Sequence, residues 1–441
     1  MHHVVIIGNG IAGITAARYV RKNSDFKITV VGSETEFFYA RTALMYIFMG
    51  HMKFEHTKPY EDNFWSKNNI DLIYDKVENV DQNMKILSLK SGNPINYDLL
   101  VLALGSNTAM FNWPGQNLKG VSGLYSLQDM EYIDQLSSTT KEAVIVGGGL
   151  IGIELAEMLH TRGIGVTIII RENSYWQDVL PKEESLLVTR HVESHGIKIL
   201  VNTELAEIQG NDRVTGIRTK DGQEIDCQIV GITTGVVPNI DLVKNIIECK
   251  RGILVDARLQ TNVRDIYAVG DCAELRDPDR GRRAIEPVWY VGRMMGEIAG
   301  RIISGDPIEY QPGPWFNSAK FFDIEYQSYG LVSPELNEGE TKFYWEDETG
   351  TKCIKIVFDS LTGVFIGINA FGIRLRHEII DRWLADKAAV ETILDNFEAA
   401  NFDTEFYHDY SPEILHSFDS QFPGKINIKK LGKKKSWKLW L

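Results

Sequence analysis

The stretch Val4-Val5-Ile6-Ile7-Gly8-Asn9-Gly10-Ile11-Ala12-Gly13 decides the fold. An apolar run of strand length ends in glycines spaced Gly-x-Gly-x-x-Gly. A helical stretch follows from Ile14 to Lys22, and a second apolar run returns from Ile28 to Val31. The order is strand, glycine loop, helix, strand. It recurs from Ala143 to Val146, through Gly147-Gly148-Gly149-Leu150-Ile151-Gly152, a helix to about Arg162, and a strand from Val166 to Ile170.

A dinucleotide pyrophosphate needs backbone amides aimed at it, a close approach of the chain, and the positive end of a helix dipole. Gly8 makes the turn, Gly10 removes the side chain that would block phosphate, and Gly13 lets helix and strand approach; Gly147, Gly149 and Gly152 repeat these duties. One such loop can be a mere tight turn. Two, each between a strand and a helix, imply two dinucleotide sites. The expected class is α/β, with two Rossmann-like three-layer domains and a C-terminal α+β domain.

The end of the second strand usually carries a carboxylate for ribose. In the first unit Gly32 holds that place, and Glu34 is the nearest acid; the alternative is a solvated turn acid. The second unit ends Ile169-Ile170-Arg171-Glu172, where Arg171 suits a 2′-phosphate and Glu172 pulls the other way. NADH or NADPH stays open, and Arg171 can equally be a surface charge.

Beyond about Trp315 the pattern changes. Lys352 to Phe358 and Val364 to Phe371 read as a hairpin, and helical periodicity runs from roughly Ile373 to Ala400. The boundaries follow: residues 1–112 with 241–314, residues 113–240, residues 315–422, and a tail at 423–441. In that tail Lys429, Lys430, Lys433, Lys434, Lys435 and Lys438 are interleaved with Trp437, Leu439, Trp440 and Leu441. It reads either as a peripheral membrane contact or as a disordered solubilising end.

A net charge of −13 over 441 residues disfavours nucleic acid as a partner. The chain opens straight into a strand and carries no apolar stretch of membrane length, so a cytoplasmic location is expected. Cys227, Cys249, Cys272 and Cys353 form no close pair and read as reduced thiols, with Cys272 a packing residue. His2, His3, His51 and His56 lack metal spacing, and no metal is expected.

Further joints complete the picture: Leu102-Ala103-Leu104-Gly105-Ser106, Thr233-Thr234-Gly235-Val236-Val237-Pro238-Asn239, and Ile266-Tyr267-Ala268-Val269-Gly270-Asp271. With the loops, these make residues 1 to about 330 resemble the pyridine-nucleotide flavoprotein oxidoreductases with two dinucleotide domains. That resemblance implies FAD on the first module, NAD(P)H on the second, and Asp271 at the ribityl chain of FAD. Asp271 can also cap a helix that follows, a duty compatible with that binding.

The stretch Phe38-Tyr39-Ala40-Arg41-Thr42-Ala43-Leu44-Met45-Tyr46 has no cysteine where disulfide reductases carry theirs. Its Tyr39 and Arg41 look like the cysteine-free branch of rubredoxin reductases, oxygenase ferredoxin reductases and the flavoprotein part of nitrite reductase. By that likeness Trp289 covers the flavin and Glu154 approaches the nicotinamide; the alternatives are a buried aromatic and a helix-dipole acid. Tyr46 stands where some members have a Lys. The resemblance also implies a ferredoxin or rubredoxin acceptor and a homodimer through the third domain. Arg276, Arg280, Arg282 and Arg283 offer a docking loop for an acidic carrier, or are merely solvated. The rival functions are reduction of a quinone or membrane protein, and a slow redox sensor.

Overall fold

The computed structural model describes residues 2–279, 281–402 and 408–425. The chain forms two compact units, Met1–Arg171 with Ile197–Pro312, and Glu172–Gly196 with Gly313–Leu441. The basic-loop residue Arg280 and the Lys429 to Trp440 tail lie outside the described residues.

The first unit contains two five-stranded sheets. One runs Ile266–Ala268, Leu99–Leu102, His3–Ile7, Lys27–Gly32, Ile70–Tyr74, and the other runs Lys198–Leu200, Gly165–Ile169, Glu142–Val146, Ile229–Ile232, Val121–Ser122. All neighbours in both are parallel. Such strands are covered on both faces, which is why Val4 to Ile7 and Ala143 to Val146 are apolar at every position. In each sheet the strand before the glycine loop is central, with its second strand on one side and a later strand on the other. The crevice of a doubly wound sheet opens at that reversal.

The helices Ile11–Asn23 and Leu150–Thr161 start at the two loops, as expected. A third helix, Trp289–Ile303, lies against Ile11–Asn23 so closely that a Cβ at Gly296 would sit 2.3 Å from the Ala12 carbonyl oxygen. Only glycine permits that approach.

The second unit is built on an antiparallel sheet ordered Phe316–Phe321, Ile324–Gly330, Phe365–Phe371, Cys353–Asp359, Glu340–Glu346. Phe343, Ile356, Phe358 and Ile368 form its core with Ile380, Ile393 and Phe418 from the helices. The expected hairpin is present. The expected helical run from Ile373 to Ala400 is broken into His377–Ala385, Val390–Asp395 and a short turn, Phe397–Ala400. The break has a cause: Ala389 bridges to Val364, and the Phe365 amide donates to the Ala388 carbonyl at 2.9 Å. The helix Lys182–Ser194 belongs to this unit. Among the described residues no helix is long and apolar enough to cross a membrane.

Candidate active site

The two glycine loops have matching geometry. Gly8 and Gly147 take φ of +109° and +117°, and their amides donate to Val31 O at 2.8 Å and Ile169 O at 3.1 Å. A Cβ at Gly8 would stand 2.1 Å from the Ala103 carbonyl oxygen, and one at Gly147 would stand 2.6 Å from that of Thr233. Both turns therefore require glycine. Gly10 and Gly149 are different, because a Cβ there meets nothing within 4 Å. Each is the N-cap of its helix, and neither helix has a side-chain cap. Open space in front of a helix start with no side-chain cap fits an anionic group. Gly13 has the packing duty expected of it, since its Cβ would come within 2.0 Å of Gly8 O.

Gly32 replaces the usual acid for a steric reason: its Cβ would fall 2.5 Å from the Asn9 side chain, which donates to Thr35 O at 2.8 Å. Glu34 is no solvated turn acid. Its carboxylate accepts from the Tyr39 hydroxyl at 2.5 Å, from both terminal nitrogens of Arg41 at 3.1 and 2.5 Å, and from the Leu127 amide at 3.0 Å.

From Glu34 the contacts run on to Asp271. Arg41 also donates to the Tyr125 carbonyl oxygen, and its guanidinium lies over the Tyr125 ring at 4.4 Å. The Tyr125 hydroxyl accepts from the Ser106 amide at 2.8 Å and donates to Asp271 Oδ2 at 3.3 Å. Burial pushes the Asp271 carboxyl above its ordinary range, against the pull of Tyr125 and Arg41. Asp271 lies in a short turn, Gly270–Cys272, followed by the strand Ala273–Leu275, so it caps no following helix. Tyr125 has no counterpart among the expected residues. Its only sequence signal is an aromatic just before the capping box Ser126 to Asp129. Its hydroxyl would stand 2.8 Å from a Cβ at Gly105, whose φ is +68°.

A match to known sequences covers most of the chain. Residues 2–296 match the family described as pyridine nucleotide-disulphide oxidoreductase. The chain belongs to that family. The NADH oxidase of Methanocaldococcus jannaschii is 33% identical over 353 residues, which is 76% of this chain and 77% of that protein. The NADH-rubredoxin oxidoreductase of Clostridium acetobutylicum is 30% identical over 309 residues, 70% of this chain and 76% of that one. A ferredoxin reductase from Rhodopseudomonas palustris superposes with a TM-score of 0.78 at 25% identity, covering 84% of this chain and 91% of the other. FAD and NAD(P)H are the cofactors of this oxidoreductase family.

The remaining expected residues of this oxidoreductase fall as follows. Trp289 begins the helix packed on Ile11–Asn23, and its indole Nε1 is buried with no hydrogen-bond partner, a donor that suits a ligand acceptor. Glu154 is half-buried and lies just beyond the first turn of the helix Leu150–Thr161. Gly235 has φ of +112° with open space before it, next to the strand Val236–Pro238 that pairs with Ser106–Thr108. Arg171 is exposed.

Two arginines of the supposed docking loop are occupied internally: Arg276 pairs with Glu248, and Arg282 with Glu286 at 2.6 Å in a nearly buried ion pair. All four cysteines are free of disulfides. Burial pushes the thiols of Cys227 and Cys272 up to about 12, and raises those of Cys249 and Cys353 as well.

Proposed function

We propose that the chain is an FAD-dependent NAD(P)H oxidoreductase without a thiol relay, passing electrons from NAD(P)H to a small one-electron carrier of the ferredoxin or rubredoxin kind. The observation that carries this reading is the pair of equivalent glycine cradles in one unit, the first of them linked through Glu34, Arg41 and Tyr125 to Asp271.

In this reading Gly8, Gly10 and Gly13 hold the FAD pyrophosphate, residues 1–112 with 241–314 form that module, and Glu34, Arg41, Gly105 and Asp271 contact the rest of the cofactor. Bound FAD supplies the redox chemistry, a two-electron hydride acceptor that can release electrons singly. Gly147, Gly149 and Gly152, in residues 113–240, hold the nicotinamide dinucleotide, with Gly235 lining the approach and Arg171 at the adenosine end. Glu154 and Trp289 align the nicotinamide and cover the flavin. Positioning is the protein's task here, and no acid–base triad is needed. The raised thiols support a path that uses no cysteine, because the reactive form is the thiolate.

The rubredoxin and ferredoxin reductases among the relatives support a carrier protein as acceptor. With Arg276 and Arg282 paired, docking rests on less charge than the loop's composition suggests. The NADH oxidase relative favours a second reading, in which oxygen is the acceptor. Stopped-flow reoxidation of the reduced protein by ferredoxin, rubredoxin, a quinone and oxygen separates these. A carrier should restore the flavin band at least about tenfold faster than oxygen or quinone. Fastest reaction with oxygen would leave the hydride half standing and remove the carrier.

A further inference from the structure

We propose that His191, His195 and Asp323 form a binding site for a divalent transition-metal ion of the zinc class. The ion would clip the helix Lys182–Ser194 to the turn between Phe316–Phe321 and Ile324–Gly330. Among the described residues this is the one group of three or more His, Cys, Asp or Glu side chains with metal-ligand spacing, its ligand atoms all within 4.8 Å of one another.

The two histidines are four residues apart at the end of one helix, so they project from the same face. Asp323 reaches them from a turn 132 residues away. His191 Nε2 lies 2.7 Å and His195 Nε2 3.4 Å from the same carboxylate oxygen, Oδ1. Bonds of about 2.0–2.2 Å in a tetrahedron separate ligand atoms by roughly 3.3 Å. Of the three separations, that of His195 and Asp323 is already there, that of His191 and Asp323 needs about half an ångström, which the exposed Asp323 side chain can supply, and that of the two histidines lies within 4.8 Å.

The hydrogen bonds favour a cation as well. His195 Nδ1 donates to the His191 carbonyl oxygen at 2.9 Å, so in the neutral ring the Nε2 lone pair faces the carboxylate. Two acceptors pointed at each other invite a proton or a metal between them. The same bond fixes the ring by the backbone contact common among metal-bound histidines. His195 also stacks on Phe322 at 4.5 Å, and Phe322 takes a φ of +55° in the turn that presents Asp323. At His191 the ion replaces the Nε2 proton that now bridges to Asp323, and that proton moves to Nδ1. Two imidazoles and one carboxylate suit zinc, cobalt or nickel, with water completing the shell; magnesium and calcium prefer all-oxygen sites.

The test uses the full-length, untagged flavoprotein, stripped with chelator and titrated with Co2+ and Zn2+ at neutral pH. We expect one ion per chain, a visible cobalt d–d band of less than six-coordinate intensity beyond the flavin absorption, and a melting temperature raised by Zn2+ but not by Mg2+. His195→Gln and Asp323→Asn should each weaken binding at least about tenfold while flavin content and circular dichroism stay unchanged. Absence of saturable binding, a purely six-coordinate cobalt spectrum, binding by both variants as tight as by the unsubstituted protein, or an equal rise with Mg2+ would each overturn the site.

Discussion

The two glycine modules share a chassis and part company at the end of the second strand. Up to that point their parallel registers, positive-φ turns and open helix starts correspond residue for residue. After Gly32 the polypeptide stays in the first unit, where Glu34 and Arg41 lock together and reach Tyr125, from residues 113–240, and through it Asp271. After Arg171 the polypeptide passes into the other unit, carrying the helix Lys182–Ser194 with it. In the proposed function the loop is a general dinucleotide cradle, and the segment after the second strand sets the two modules apart.

The largest effects should come from Gly10→Val and Gly149→Val. Neither Cβ meets the protein, so both variants should fold, which circular dichroism checks, and a loss in a folded variant reports on the ligand. Gly10→Val should weaken FAD retention by about a hundredfold or more, whereas Gly149→Val should keep flavin and raise KM for NAD(P)H by about as much. Flavin content and steady-state kinetics check both; interchanged phenotypes would reverse the assignment of the modules.

The departing helix gives the next test. Glu184 is fully buried, and burial pushes its carboxyl up to about 7 in spite of Lys355 and Asn369. Asn369 donates to Glu184 Oε2 at 2.7 Å, leaving Glu184 Oε1 and Asn369 Oδ1 buried without partners. A proton on the carboxyl lowers the cost of burying Oε1. With the folded pKa above an unfolded value of about 4.3, this proton stabilises the fold at low pH, and that contribution is lost as pH rises to about 7. Glu184→Gln should therefore stabilise the protein by on the order of 2 kcal/mol at pH 8 relative to pH 5, read as a pH-dependent difference in melting temperature.

Arg41→Ala should loosen FAD about tenfold, because it frees Glu34 and removes the ring contact to Tyr125 in a half-buried setting. Equilibrium dialysis of FAD measures it. The smallest effect belongs to Arg171→Ala, which should cut kcat/KM for NADPH about fivefold relative to NADH. An unchanged ratio would make Arg171 a surface charge.

Much of this was legible because the signals were local. Glycine spacing and unbroken apolar strands announce a parallel sheet with its loop, and both loops fell where the sequence put them. What escaped depends on contacts distant in sequence. Tyr125 meets Asp271 across 146 residues, so nothing near it marks its duty. His191 and His195 are visible as a helical pair, but the third group, Asp323, belongs to a turn the sequence does not connect to them. The break after Ala385 arises from pairing with the hairpin at Val364, which overrides an unbroken helical pattern. Gly32 reads as a missing acid in the sequence, whereas in the structure the Asn9 side chain occupies the space a side chain there would need.

The most direct test of the central claim is anaerobic titration of the purified protein with NADH and with NADPH while the flavin band is followed. The account predicts that the protein carries FAD and that at least one nucleotide bleaches it stoichiometrically, with the bleaching slowed in Gly149→Val. A protein that binds no flavin, or a flavin that neither nucleotide reduces, would contradict it.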